Sequence, residues 1–127
     1  MSSNAVALDR IAQVGMMVKD LESAVAFYRD KLGVKHLFTA PGMAFFDVGG
    51  IRLMLGQATA EYPAATFLYY KVDDIDAAAA TLKARGVEMV EAPELAHRAP
   101  GMELWLSQFR DMDGNVVFLM CEKKIPV

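Results

Sequence analysis

The sequence predicts an α+β fold built from one βαβββ module written twice. Three observations carry that prediction. A strand running into an aspartate-capped helix occurs twice, with Val18 and Val72, and Asp20 and Asp74, each 54 residues apart. Helix-ending glycines recur at Gly33 and Gly86, 53 apart. Glycine turns at Gly50 and Gly114, 64 apart, each open onto a strongly apolar strand, which makes Met54 and Phe118 counterparts. A module of this size has one apolar sheet face that it cannot cover alone, so two must combine. The divisions are a leader at 1–9, a first module at 10–57, a linker at 58–65, a second module at 66–122 and a tail at 123–127.

The leader is small and polar enough to be loose. Ile11 to Val18 is apolar, with Gly15 its only breaker, and reads as a strand. Asp20 is the expected N-cap, because its carboxylate can accept from the free N–H groups of a first helical turn. Leu21, Ala24, Val25, Tyr28 and Leu32 follow helical spacing and make one buried face of a helix from Leu21 to Leu32. Gly33 ends it, where a left-handed residue is needed. Strands follow at Lys35–Thr39, Met43–Val48 and Ile51–Gly56, the last two joined by a Gly49-Gly50 turn. In the second module Thr66–Val72 is a strand, and Ile75, Ala78, Ala79 and Leu82 form the apolar helix face. A short strand at Val87–Val90 precedes a proline-containing loop, Glu91 to Gly101. Strands at Met102–Phe109 and Asn115–Cys121 close the set.

Composition narrows the function. Apolar residues make up 54% and charged residues 23%, which fits a packed globular chain and not a disordered one. A net charge of −3 gives no general pull toward nucleic acid or anionic lipid. The single cysteine, Cys121, cannot form an internal disulfide, and this fits a reducing cytoplasm. The first residues lack the basic flank and apolar run of a signal peptide, and no stretch has the length to span a bilayer. A cytoplasmic protein with a small-molecule partner, and neither nucleic acid nor membrane, is expected.

The segment Val18-Lys19-Asp20-Leu21-Glu22-Ser23 leading to Phe27-Tyr28, and the turn Phe109-Arg110-Asp111-Met112-Asp113-Gly114-Asn115, stand in order within the two modules. Together they resemble the vicinal oxygen chelate superfamily, which includes glyoxalase I, extradiol dioxygenases, methylmalonyl-CoA epimerase, fosfomycin-resistance enzymes and bleomycin-resistance proteins. The likeness runs from Ile11 to Glu122. It implies mixed sheets that curl around a central pocket, which in the enzymes holds a divalent metal. The ligands there are His or Gln on the first strand of a unit and Glu on the last. Carried onto this chain, those places are Gln13, Phe67, Met54 and Phe118. Only Gln13 offers a hard donor, since phenylalanine has no lone pair and a thioether is soft. A chain without that metal, and without another cofactor, is expected. Chains of this size in the family commonly pair, so a homodimer is expected too.

Strand alternation then assigns the pocket face. Gln13 shares its face with Gly15 and Met17, and Phe67 with Tyr69 and Lys71. Met54 shares its face with Arg52, and Phe118 with Val116 and Met120. The ligand-binding candidates are therefore Gln13, Met17, Arg52, Met54, Phe67, Tyr69, Lys71, Phe118 and Met120. Met54, Phe67 and Phe118 either line an open cavity or fill the core. Arg52 and Lys71 either lie at a rim in water or point inward, where a ligand carboxylate or phosphate would have to pair with them. His97 is the acid/base candidate by residue type, with Tyr69 as its partner, set against an ordinary exposed loop histidine. Cys121 faces the helix and reads as a small buried hydrophobe.

Three functions remain open at this level. The first is metal-free binding of a small organic molecule, anionic or aromatic, in an apolar cavity. The second is a lyase, isomerase or dioxygenase reaction using an unusual metal site or His97 and Tyr69. The third is a partner-binding dimer with a filled pocket.

Overall fold

A computed structural model describes residues 6–126. The strands are β1 (Ile11–Val18), β2 (Lys35–Ala40), β3 (Met43–Val48), β4 (Ile51–Gln57), β5 (Ala65–Lys71), β6 (Glu88–Ala99), β7 (Met102–Arg110) and β8 (Val116–Lys124). Helix α1 (Leu21–Ala26) follows β1, and α2 (Ile75–Ala84) follows β5. This is the βαβββ order, met twice. The chain forms two compact units, Ala12–Leu68 and Tyr69 onward, the latter including the described residues before Ala12.

In the first unit the strand order is β2-β3-β4-β1. The Gly49-Gly50 turn, with φ of 60° and 96°, pairs Val48 with Ile51 and hence Phe45 with Met54. β1 joins β4 in parallel, setting Gln13 opposite Arg52 and Gly15 opposite Met54. One face of this sheet meets α1. There Ala44, Phe46, Leu53, Leu55 and Val25 are buried, with Val14, Met16, Val18 and Tyr28 packed against them. In the second unit the order is β5-β8-β7-β6, with β5 parallel to β8 and Tyr69 opposite Phe118. Its helix-side core joins Ile75, Ala78, Ala79 and Leu82 of α2 to Phe109, Leu119 and Cys121. Burying a leucine or phenylalanine fully is worth about 1.5–3 kcal/mol. That exceeds what a cap or an exposed ion pair contributes, so strand alternation decides which face is covered.

Four expectations need correction. The first helix is α-helical only to Ala26 and continues as π-wound turns over Phe27–Lys31, with the Leu32 amide donating to the Phe27 carbonyl. Wider winding breaks the 3.6-residue phase, and Leu32 ends 55% exposed instead of in the apolar face. Second, Asp20 has the extended N-cap backbone, but its side chain makes no cap bond. It accepts instead from the Ser23 hydroxyl, at 2.7 Å. The cap comes from Gln57, whose Oε1 accepts from the Leu21 amide at 2.9 Å while Nε2 donates to the Lys19 carbonyl at 2.7 Å. Asp74 caps α2 conventionally, accepting from the Ala77 amide at 3.0 Å.

Third, Glu91 to Gly101 is not a loop. β6 runs to Ala99 and is the edge strand of its sheet, with register shifts that bracket Pro93. An edge strand tolerates proline at a bulge because no ladder bond is lost there. Fourth, the leader is anchored where it is described. Val6 and Leu8 pack on the second core, and an Arg85 Nη1 donates to the Val6 carbonyl at 3.3 Å. Residues 1–5 of that leader lie outside the described residues. The tail likewise begins as strand, since β8 extends through Lys124; Val127 lies outside the described residues.

Two polar clusters finish the second unit. In the β7–β8 turn, Asp111 accepts from the Asp113 and Asn115 amides and from Asn115 Nδ2, all at 2.9 Å. Gly114 takes φ of 84°, which a side chain would resist. The Asn115 side chain, then the backbone amides, hold the Asp111 carboxyl below the usual carboxylate range. On β7, Trp105 donates from Nε1 to Glu103 at 3.0 Å, Arg98 forks onto the same carboxylate, and Lys123 Nζ sits 4.3 Å from the indole centroid.

Replacing the non-local cap by Gln57→Ala is expected to cost about 1 kcal/mol in chemical denaturation, as Asp74→Ala should, whereas Asp20→Ala should cost less. Asp111 should make its contribution above the ordinary carboxylate range and lose it as the pH falls below about 4, because its folded pKa is depressed. Thermal melts of Asp111→Asn across that range should show a lower midpoint at neutral pH and a flatter acid limb than the parent.

Candidate functional site

The sheet faces turned away from the helices carry the candidate residues. On the first unit, β1 contributes Gln13, Gly15 and Met17, and β4 contributes Arg52, Met54 and Gly56. Gln13 is 4% exposed and Met54 8%, so both belong to an interior surface. Gly56 sits opposite Met17 across the ladder, and a Cβ added to it would meet Met17 Sδ at 2.8 Å and Met54 Sδ at 3.5 Å. The two thioethers therefore lie over bare backbone, and the glycine makes room for them.

Arg52 is half-buried, with its guanidinium carbon 5.3 Å from the Phe45 ring centroid. Phe45 in turn packs on Phe38, with centroids 4.7 Å apart. Among the described residues no carboxylate lies within 4.0 Å of the Arg52 guanidinium. Asp47, directly across the ladder, spends Oδ1 on the Gly50 amide at 3.1 Å. Nor does the Gln13 amide meet a hydrogen-bond partner among the described residues. Two directed polar groups thus stand side by side on an apolar floor, which is the usual make-up of a small-molecule site. The sequence reading missed Phe45 and Phe38. A two-residue hairpin count from Gly49-Gly50 already puts Phe45 on the Met54 face; the Phe38 position follows only once the β2 bulge is known.

On the second unit, Tyr69 is buried and stacks on Phe118, with centroids 4.3 Å apart and planes 17° from parallel. Met120 is buried beside them, opposite Lys71 and Leu106. Phe67, two residues before Tyr69 on β5 but within the bounds of the first unit, is half-buried. Lys71 is exposed at the rim and borders a cleft of about 450 Å³ with Asp73, Glu122 and Lys124. His97 is exposed on β6, paired with Leu104, which pairs with Glu122 of β8. Tyr69 pairs with Phe118 of that strand. His97 and Tyr69 are therefore three strands and four register positions apart, and the fold does not bring them together. Cys121 faces α2, 1% exposed, and its thiol donates to the Asp73 carbonyl at 3.5 Å. Burial pushes that thiol up, away from nucleophilic use.

A wider cleft, about 740 Å³, opens on the helix side of the first unit between α1 and the β2–β3 turn. Its polar lining is Asp20, Glu22, Arg29, Thr39 and Gln57. Arg29 is already paired with Asp30 and Gln57 is occupied as the α1 cap, so few of its polar groups are free for a ligand. The unpartnered groups lie on the opposite face.

The four places where metal ligands were expected hold Gln13, Met54, Phe67 and Phe118. One amide, one thioether and two aromatic rings do not make the hard oxygen and nitrogen donor set that a divalent cation needs. Among the described residues no three His, Cys, Asp or Glu side chains are grouped to hold a metal ion. No helix among them is long and apolar enough to cross a membrane.

The repeated βαβββ order and the Asp111–Asn115 turn point to a family. The profile of the Glyoxalase/Bleomycin resistance protein/Dioxygenase superfamily matches residues 10–119, and the chain belongs to that superfamily. No curated protein matches the chain. Solved structures share the fold at low identity. A hypothetical protein from Bacillus halodurans C-125 superposes with a TM-score of 0.75 at 17% identity, covering 93% of this chain and 97% of that one. A superfamily member from Vibrio splendidus 12B01 gives 0.71 at 15% identity, covering 90% and 98%. The Mn(II)-bound glyoxalase from Novosphingobium aromaticivorans gives 0.69 at 21% identity and covers 93% of this chain. This chain matches only 41% of that glyoxalase's length.

Proposed function

We propose that this protein binds a small organic molecule, anionic or aromatic, in an apolar site without a divalent metal. The donor set supports this reading: thioether and phenyl groups stand where the superfamily's metalloenzymes carry carboxylates and imidazoles. The same substitution that removes a metal ligand adds apolar lining, so the site trades coordination for burial of a ligand's hydrophobic surface. In the first unit the lining we assign is Gln13, Met17, Arg52, Met54 and Phe67, and in the second unit Tyr69, Phe118 and Met120 are the corresponding apolar candidates. Lys71 lies at an exposed rim. Separation of His97 from Tyr69 favours binding over acid–base catalysis by that pair.

Elemental analysis of protein purified without chelator should find well under one transition metal per chain. Calorimetry across a panel of small aromatic and aliphatic molecules, charged and neutral, should find saturable binding. Stoichiometric metal lost to chelator would overturn the metal-free reading, and silence across the panel would overturn the binding reading.

We also infer a cytoplasmic homodimer. Support comes from the buried free thiol of Cys121, which needs no oxidising compartment, and from Leu37, Phe38 and Val48, which leave apolar surface exposed on β2 and β3. Sedimentation velocity at micromolar protein should give twice the 13.9 kDa chain mass, and a single monomeric species would reject the pairing.

A further inference from the structure

Resting on the binding reading above, we infer that the first unit holds the anionic end of the ligand. Arg52 and Gln13 together receive one carboxylate of a flat, apolar monoacid, whose body lies along Phe45, Met54 and Met17.

Four observations carry this assignment. The Arg52 guanidinium carbon lies over the Phe45 ring, 5.3 Å from its centroid, and a ring contact uses none of the N–H groups for an oxygen acceptor. Asp47, the acidic residue directly opposite it, turns its Oδ1 toward the Gly49-Gly50 turn, so no described carboxylate lies within ion-pair distance. Gln13 pairs with Arg52 across the parallel ladder, so the two Cα atoms stand about 4.8 Å apart with both side chains on one face. Gln13 is 4% exposed as a residue, and its amide, which has no side-chain hydrogen bond to any described residue, still reaches solvent. Its N–H groups are therefore uncommitted within the protein, and a ligand carboxylate oxygen beside Arg52 can accept from one of them in place of water.

The charge count selects the class of acid. One guanidinium forks onto two carboxylate lone pairs and the glutamine N–H takes a third, leaving the ligand head satisfied and neutralised. A phosphate dianion would keep a full uncompensated charge in a half-buried site, next to Asp47. The flat body follows from the floor. Phe45 and Phe38 offer ring faces, and the Met17 and Met54 thioethers over Gly56 adapt to an aromatic edge. Lys71 does not compete for the carboxylate, because it is exposed beside the carboxylates of Asp73 and Glu122.

The test is calorimetry with benzoate, phenylacetate and cinnamate, each beside its neutral amide, and with phenyl phosphate as a third arm. At least one carboxylate should bind, about tenfold or more tightly than its amide, and phenyl phosphate should bind more weakly than that carboxylate. Arg52→Met should weaken the carboxylate tenfold to a hundredfold and leave the amide nearly unchanged, so a folded site is shown by the same titration. Arg52→Lys should recover only part of the loss, since an ammonium cannot fork. Gln13→Leu should weaken the carboxylate by a smaller factor. If carboxylate and amide bind alike and Arg52→Met moves neither, the anion assignment falls while the apolar site stands. Tighter binding of phenyl phosphate overturns the choice of acid. Failure of every arm removes the binding reading itself, and this assignment with it.

Discussion

Each helix covers one face of four strands of the eight-stranded sheet, and that one-sided burial dictates where the strand side chains must go. Leu53 and Leu55 under α1, and Leu119 and Cys121 under α2, are fixed in place by the apolar area they remove from water. Because side chains alternate, fixing those residues also fixes Arg52, Met54, Phe118 and Met120 on the opposite face. A register slip of one residue would exchange the two sets. The candidate face of each unit is therefore a by-product of its core: its residues are aimed by the neighbours that pack on the helix.

The ladder that aims them is pinned at its ends by side chains acting away from their own turns. Gln57 closes β4 and at the same time caps α1, 36 residues earlier in the chain. It ties the row Arg52, Met54 and Gly56 to the helix that covers the reverse face. Asp47 holds the Gly49-Gly50 turn, so the strand partner of Arg52 is committed to backbone. Asp111 does comparable work for β7 and β8, and so for the register that sets Gln108 opposite Phe118. In each case a polar side chain serves a backbone amide.

Much of this was legible in the sequence. Period-two alternation separated the helix-side residues of β1, β4 and β8 from their neighbours, and the glycine turns aligned the two modules in sequence. Residues whose conformation depends on tertiary bonding were not legible. Asp20 looks like a cap, but the helix takes its cap from Gln57, and no local pattern announces that. Leu32 falls in phase only if the winding stays at 3.6 residues per turn. Pro93 signals a break unless the strand is known to lie at an edge. His97 was assigned to a loop for that reason, and its distance from Tyr69 follows from strand order, which a one-dimensional pattern does not carry. Phe45 was within reach, since counting outward from the hairpin turn would have found it.

Trp105 has a consequence of a different kind. It is the single tryptophan of the chain, and it is held in the second unit by Glu103 and Lys123. Intrinsic indole emission is therefore an optical probe of one compact unit alone. The first unit, which carries Arg52 and Gln13, has only tyrosine and phenylalanine chromophores. A denaturation curve followed by tryptophan emission reads one half of the molecule, whereas far-ultraviolet circular dichroism reads both. Coincidence of the two curves would be the signature of a chain that unfolds as one cooperative block.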